Sequence, residues 1–104
     1  SNHRRFHFND QIIQLINQKL AVLRPEKILV LGNVIHQNVE DLFQLTADHF
    51  VNPIQNGQHE VRVSQKELIQ GINTRIYFRR FFSQGGGSYQ DAYDLGLAIS
   101  NVLV

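Results

Sequence analysis

The run Lys27-Ile28-Leu29-Val30-Leu31-Gly32-Asn33 admits few folds. Four successive apolar residues, Ile28 to Leu31, leave no polar face for an amphipathic helix or an alternating strand, so the run predicts a buried strand. Pro25 keeps the preceding helix from continuing into it, and Gly32-Asn33 turns the chain out of it into a helical pattern. A strand handed on to a helix is the basic unit of α/β domains. The expected architecture is therefore a small three-layer Rossmann-like sheet of about three to four strands flanked by helices. Ligands of such folds sit at the carboxyl ends of strands, which gives Gly32, Asn33 and His36 the address of a site.

Flanking patterns extend this unit in both directions. Asn9 or Asp10 can cap a helix over 10–23, whose apolar residues Ile12, Ile13, Ile16, Leu20 and Leu23 keep helical spacing. Beyond the turn, Ile35, Val39, Leu42, Phe43, Thr46 and Phe50 mark one face of a second helix over 34–50, with Glu40 and Asp41 on its solvent side. Asn56-Gly57 is a hairpin signal, although the arm before it carries Pro53; an edge strand is expected near 59–63. Ser64-Gln65-Lys66-Glu67 matches a capping box and predicts a short helix through about Asn73.

Residues 74–82 read two ways. Aromatic and β-branched content favours a strand with Ile76, Phe78 and Phe82 on one face and Tyr77 and Phe81 on the other. Leu68, Ile72 and Ile76 also repeat at four, which would continue the preceding helix. Gly85-Gly86-Gly87 breaks the chain, and Ser88-Tyr89-Gln90-Asp91 starts a last helix over 89–102.

Length and composition confine this pattern to one domain. The 104 residues suit a single core over 1–104, and Ser1-Asn2 without an initiator Met suggests a processed or engineered start, compatible with part of a longer product. The formal charge of +1 is too small for bulk attraction to nucleic acid or membrane. With no cysteine in the chain, disulfides, thiol catalysis and thiolate metal sites are excluded. The apolar run at 28–31 is far shorter than the ~20 residues of a membrane span, and no signal-peptide pattern opens the chain, so a soluble, cytoplasmic protein is expected.

Candidate sites follow from residue type and spacing. Gly85-Gly86-Gly87-Ser88 at a helix start could hold phosphate, yet neither Walker A nor GxGxxG is present and Asp91 and Asp94 bring negative charge to the helix start; no cofactor is expected. Arg75, Arg79 and Arg80 alternate with Tyr77, Phe78, Phe81 and Phe82, a pattern for stacking bases and neutralising phosphates, or equally for a core strand with solvated arginines. His3 and His7 have metal-ligand spacing but no third ligand nearby, so no metal is expected. His36, His49 and His59 are isolated in sequence, and His36 stands out by following the strand-helix turn. Glu40-Asp41 point about 100° apart on a helix and form no acid/base dyad, and a GxSxG elbow is absent.

From Ile12 to Val39 the chain resembles part of the uracil-DNA glycosylase superfamily, where a helix leads into a (K/R)P-x-(I/V)-(I/V)-x-LG-N strand and a further helix. The matching residues are Arg24, Pro25, Lys27 to Leu31, Gly32 and Asn33. The end of the chain is similar too, with an aromatic strand, a Ser/Gly-rich loop and Asp91-Ala92-Tyr93-Asp94-Leu95. The resemblance implies the C-terminal half of such a domain. Where the family carries a late His-Pro-Ser motif, Phe81-Phe82-Ser83 stands here, and the early water-activating motif has no counterpart, so no catalytic residue is carried over.

The expected function is a non-catalytic α/β binding or interaction module using Gly32, Asn33, His36, Arg75, Tyr77, Arg79 and Arg80. A glycosylase-like or other nucleic-acid-binding domain is the first alternative. The second is a regulatory or oligomerising domain whose edge strand near 59–63 pairs with another chain.

Overall fold

A computed structural model describes residues 8–82 and 88–101. Its elements are helix α1 (Asp10–Leu23), strand β1 (Lys27–Leu31), helix α2 (Asn33–Leu42), a 3-10 turn (Ala47–His49), strands β2 (Phe50–Asn56), β3 (His59–Ile69) and β4 (Ile72–Arg79), and helix α3 (Tyr89–Asn101). The four strands form one sheet in the order β1-β4-β3-β2. β1 and β4 run parallel, while β4, β3 and β2 form an antiparallel meander. The expected α/β class holds, and the sheet is mixed.

Alternation along the strands makes the three layers. Val30, Ile76 and Phe78 face α2 and bury its Val39, with Phe8, Ile35, Phe43 and Phe50 packed around them. Val61, Val63 and Tyr77 point the other way and bury Leu95 of α3. Helix α1 starts as expected, with Asn9 Oδ1 accepting from the Ile12 N–H at 2.9 Å. It buries no residue completely, and Leu15, Val22 and Leu23 remain exposed.

Five expectations change. The Lys27–Leu31 strand forms where the sequence places it, but at the sheet's edge, with Leu29 42% exposed. The structural centre is β3 and β4, each paired on both sides. The second helix stops at Leu42 instead of running to 50. Gln44 takes a positive φ of 54°, and the Lys66 ammonium donates to the carbonyls of Phe43 at 2.6 Å and Gln44 at 3.2 Å, satisfying the helix end. Phe50 thereby leaves the helical repeat and opens β2.

Residues 59–63 lie inside the sheet, and the edge belongs to β2, where Pro53 accompanies a register shift between Val51 and Ile54. The proposed capping box at Ser64 forms no helix; 64–69 continues β3, with Ser64 fully buried opposite Ile76. A cap stabilises by about 1 kcal/mol. Pairing on both edges and burial of Val61 and Val63 outweigh that local preference. The chain reverses at Gln70-Gly71, where Gly71 has φ +85° and its N–H donates to Glu67 Oε2 at 3.0 Å.

For 74–82 the strand alternative is the observed one. Ile76 and Phe78 share a face opposite Tyr77, as alternation requires, but the strand ends at Arg79 and the parity ends with it. Phe82 consequently packs on the Tyr77 side, and Phe81 turns to the surface. The triple glycine, His3, His7 and Val102 lie outside the described residues. Among those described, no helix is long and apolar enough to cross a membrane.

Candidate functional site

The parallel pairing of β1 with β4 puts Leu31 opposite Arg79, so both strands release their chains at the same end of the sheet. The start of β3 lies there too, because Arg62 pairs with Phe78. Together with the first turn of α2 they enclose a cleft of about 270 Å³, lined by Asn33, His36, His59, Glu60, Arg62, Phe78 and Arg80. An adjoining hollow of about 310 Å³ along β2 shares Glu60 and Arg62 and is otherwise mostly apolar.

Gly32 makes the corner. Its N–H continues the β1–β4 ladder to the Arg79 carbonyl at 2.9 Å, and its φ of +109° is one that side chains avoid. A Cβ there would also stand 3.4 Å from the Phe81 ring. Glycine thus allows β1 to turn straight into α2, and no side chain caps that helix start. Asn33 is exposed beside it.

His36 sits one turn into α2, with its ring edge-on to Phe78 at 5.3 Å. Nε2 lies 3.3 Å from the Arg79 carbonyl. Because a carbonyl only accepts, the proton belongs on Nε2, which leaves Nδ1 with its lone pair in the neutral ring. Burial pushes the pKa below its ordinary 6.5, and the Arg62 charge acts in the same direction; the Arg79 carbonyl and Glu40 oppose them.

Arg62 forms the inner wall. Its Nη2 donates to Glu40 Oε2 at 2.5 Å, and its guanidinium carbon stands 4.7 Å from the Phe50 ring and 5.2 Å from the Phe78 ring. Glu40 is therefore a half-buried partner and not part of a solvent face. Arg80, by contrast, is exposed at the rim, as is the carboxylate of Glu60.

The sheet separates the other candidates. Arg79 and Tyr77 are fully buried on the α3 side, and Arg75 lies about four residues back along β4, roughly 13 Å from Arg79 by strand rise. Gly32, Asn33, His36 and Arg80 come together; the side chains of Arg75, Tyr77 and Arg79 do not join them, and Arg79 meets the site only through its carbonyl. The aromatic residues Tyr77 and Phe78 serve as core, so the described strand presents no continuous stacking surface. His49 is a capping residue, accepting the Thr46 N–H at 2.9 Å.

A scan against protein-family models and searches of curated proteins and of solved structures find no match. The site is thus defined by its own chemistry. Its lining holds no hydroxyl or thiol nucleophile, and no group of three or more metal-binding side chains occurs among the described residues. Glu60, His59 and Arg62 were not anticipated as site residues. Their signal was the alternation Glu60-Val61-Arg62-Val63, which marks a strand with a polar face; only the pairing with β4 aims that face at His36.

The depressed pKa of His36 makes stability depend on pH. A group that binds its proton less well when folded contributes stability above its unfolded value of 6.5, and this is lost as pH falls through the folded value. Thermal melts from pH 8 to pH 4 should show an acid-side decline that is shallower in His36→Gln, with parallel behaviour above about pH 7. Superimposable acid limbs would remove His36 as the titrating group.

Proposed function

We propose that the protein is a non-catalytic binding module that holds a phosphate-bearing ligand in the cleft at the carboxyl ends of β1 and β4. The observation carrying this reading is the convergence of Arg80, Arg62 and the uncapped start of α2 on one cleft. Peptide N–H groups and the helix dipole at such a start favour an anion. Arg80 supplies an exposed charge, Asn33 an amide donor, and Arg62 a charge fixed by Glu40 and the two rings. Glu60 works against an anion and limits affinity.

Nucleic acid is the reading in which the phosphate belongs to a polymer. Phe81 favours it: the ring is 59% exposed and packs beside Gly32, where a base could stack. The glycosylase resemblance points the same way without supplying chemistry.

Fluorescence anisotropy with labelled oligo(dT) at low salt, and competition by inorganic pyrophosphate, test both readings. Arg80→Ala should weaken binding about fivefold, corresponding to about 1 kcal/mol for an exposed charged contact. Glu60→Gln should tighten it about twofold by removing a like charge. Phe81→Ala should weaken the oligonucleotide and leave pyrophosphate unchanged. Binding that ignores Arg80→Ala would rule out this cleft.

A further inference from the structure

The two edges of the sheet are built differently. β2 carries Pro53 and a register irregularity, devices that keep another strand from pairing. β1 carries neither. Its five residues Lys-Ile-Leu-Val-Leu pair regularly with β4, and no described strand lies on their other side. Lysine on an edge is a common deterrent, but the Lys27 ammonium is drawn away to the carbonyl of Ile99 at the end of α3.

The ladder shows which backbone groups are left over. Glu26 O accepts from Arg75 N, and Gly32 N donates to Arg79 O, so even-numbered residues bond toward β4. In a parallel ladder a residue's N–H and C=O point to the same side and alternate along the strand. Lys27, Leu29 and Leu31 therefore offer N–H and C=O outward.

These outward groups select one pairing of β1 with itself. An antiparallel pair about a two-fold axis opposes one residue to itself, an outward residue as a hydrogen-bonded pair or Ile28 or Val30 as a non-hydrogen-bonded one. Centring on Ile28 sets Leu31 against Pro25, which has no N–H, and centring on Val30 sets Lys27 against Asn33 of α2, so each leaves one outward residue of the strand without a strand partner. Centring on Lys27 opposes two lysines and draws in Arg24 and Pro25. Centring on Leu31 requires residues of α2, which begins at Asn33. Centring on Leu29 matches Lys27 with Leu31, Ile28 with Val30 and Glu26 with Gly32, so no like charges meet. About six backbone hydrogen bonds result, two for each outward-facing pair. The half-exposed Leu29 side chains of the two copies come side by side.

We infer that β1 is the seam of a symmetric homodimer, in which Lys27–Leu31 of two copies pair antiparallel about Leu29. Two four-stranded sheets then become one continuous sheet. The occupant of the edge is a second copy of this chain. The cleft with Arg80 lies at one end of the seam, so each dimer carries two clefts on opposite ends of the joined β1 strands.

Single-cysteine cross-linking reads this directly, because the chain has no cysteine of its own. Residues directly opposed in a hydrogen-bonded antiparallel pair have Cα atoms about 5.5 Å apart, within disulfide reach. Under mild oxidation Leu29→Cys should form a covalent dimer at least about tenfold faster than Val34→Cys, an exposed position on α2. Light scattering should give twice the monomer mass for the wild type. Leu29→Lys, which opposes two charges at the axis from an already exposed position, should give the monomer with an unchanged circular dichroism spectrum. Equal cross-linking rates, a wild-type monomer at millimolar concentration, or a dimeric Leu29→Lys protein would each overturn the inference.

Discussion

Phe78→Ala is expected to lower the stability of the fold by about 4 kcal/mol, the usual cost of emptying a buried phenylalanine site. Phe78 is 1% exposed and packs in the cluster of Val30, Val39 and Ile76 beneath α2. Its ring also meets His36 edge-on, tilts against Phe50 at 6.0 Å and lies under the Arg62 guanidinium. Truncation therefore removes the partner of three side chains that line or support the cleft. Small domains are stable by only about 5–15 kcal/mol, so this one change can consume much of the total. In urea unfolding followed by circular dichroism, the midpoint should fall by about 2–3 M with the slope retained. Tyr89→Ala, at a residue 95% exposed, should change the stability by less than about 0.5 kcal/mol. Similar shifts for the two variants would show that the α2 layer is not packed as described.

Arg79 carries the second large effect. Its side chain is fully buried on the α3 side, with Nε donating to Asn56 Oδ1 at 2.7 Å and Nη1 to the Arg80 carbonyl at 2.9 Å. The guanidinium carbon stands 4.1 Å from the Phe82 ring, and Asn56 Nδ2 in turn donates to the Asp91 carbonyl at 2.9 Å. Burial lowers the Arg79 pKa; the Asp91 charge opposes this, and Arg80 adds to it. The chain of contacts ties the β2–β3 turn, the end of β4 and the start of α3 together. Gly57 belongs to the same junction, since a Cβ there would stand 2.7 Å from the Asp91 carboxylate. Arg79→Ala should cost about 3–5 kcal/mol, because it leaves a cavity and strips Asn56 of its buried donor. Arg79→Met refills the volume without the charge and should cost about 1–2 kcal/mol. Chemical denaturation of both variants checks the comparison, and equal losses would mean that refilling the volume recovers nothing, so that the polar network and not packing holds this junction.

Arg79 also shows why part of the site was illegible in one dimension. In sequence, Arg79 and Arg80 are adjacent and equivalent. In the sheet they point to opposite faces, one into the core and one to the rim of the cleft. Alternation predicts that they diverge, but which face is covered depends on where α2 and α3 pack. Tyr77 follows the same logic: a ring suited to stacking becomes core because α3 lies over it. His36 was legible, because Gly32-Asn33 fixes it one turn into a helix at a strand's end. Arg62 was not, since its partners Glu40 and Phe78 are far along the chain, and Glu60 reaches the cleft only through the pairing of the same strand.

Local chemistry alone determined α1 with its Asn9 cap, β1 with its glycine corner, the Asn56-Gly57 reversal and α3. Each depends on periodicity, a cap or a backbone angle that neighbouring residues set within one turn or one strand. Only the tertiary structure decided that 64–69 is strand, that α2 ends at Leu42 and that β1 lies at an edge. In each case a long-range contact outweighs a local preference: pairing of β3 on both sides, the Lys66 ammonium on the α2 carbonyls, and β4 taking the centre of the sheet. The Lys66 contacts and the β1–β4 pairing join residues more than twenty positions apart, and the β3 ladders join separate strands, so a pattern read within a window of one element does not contain them.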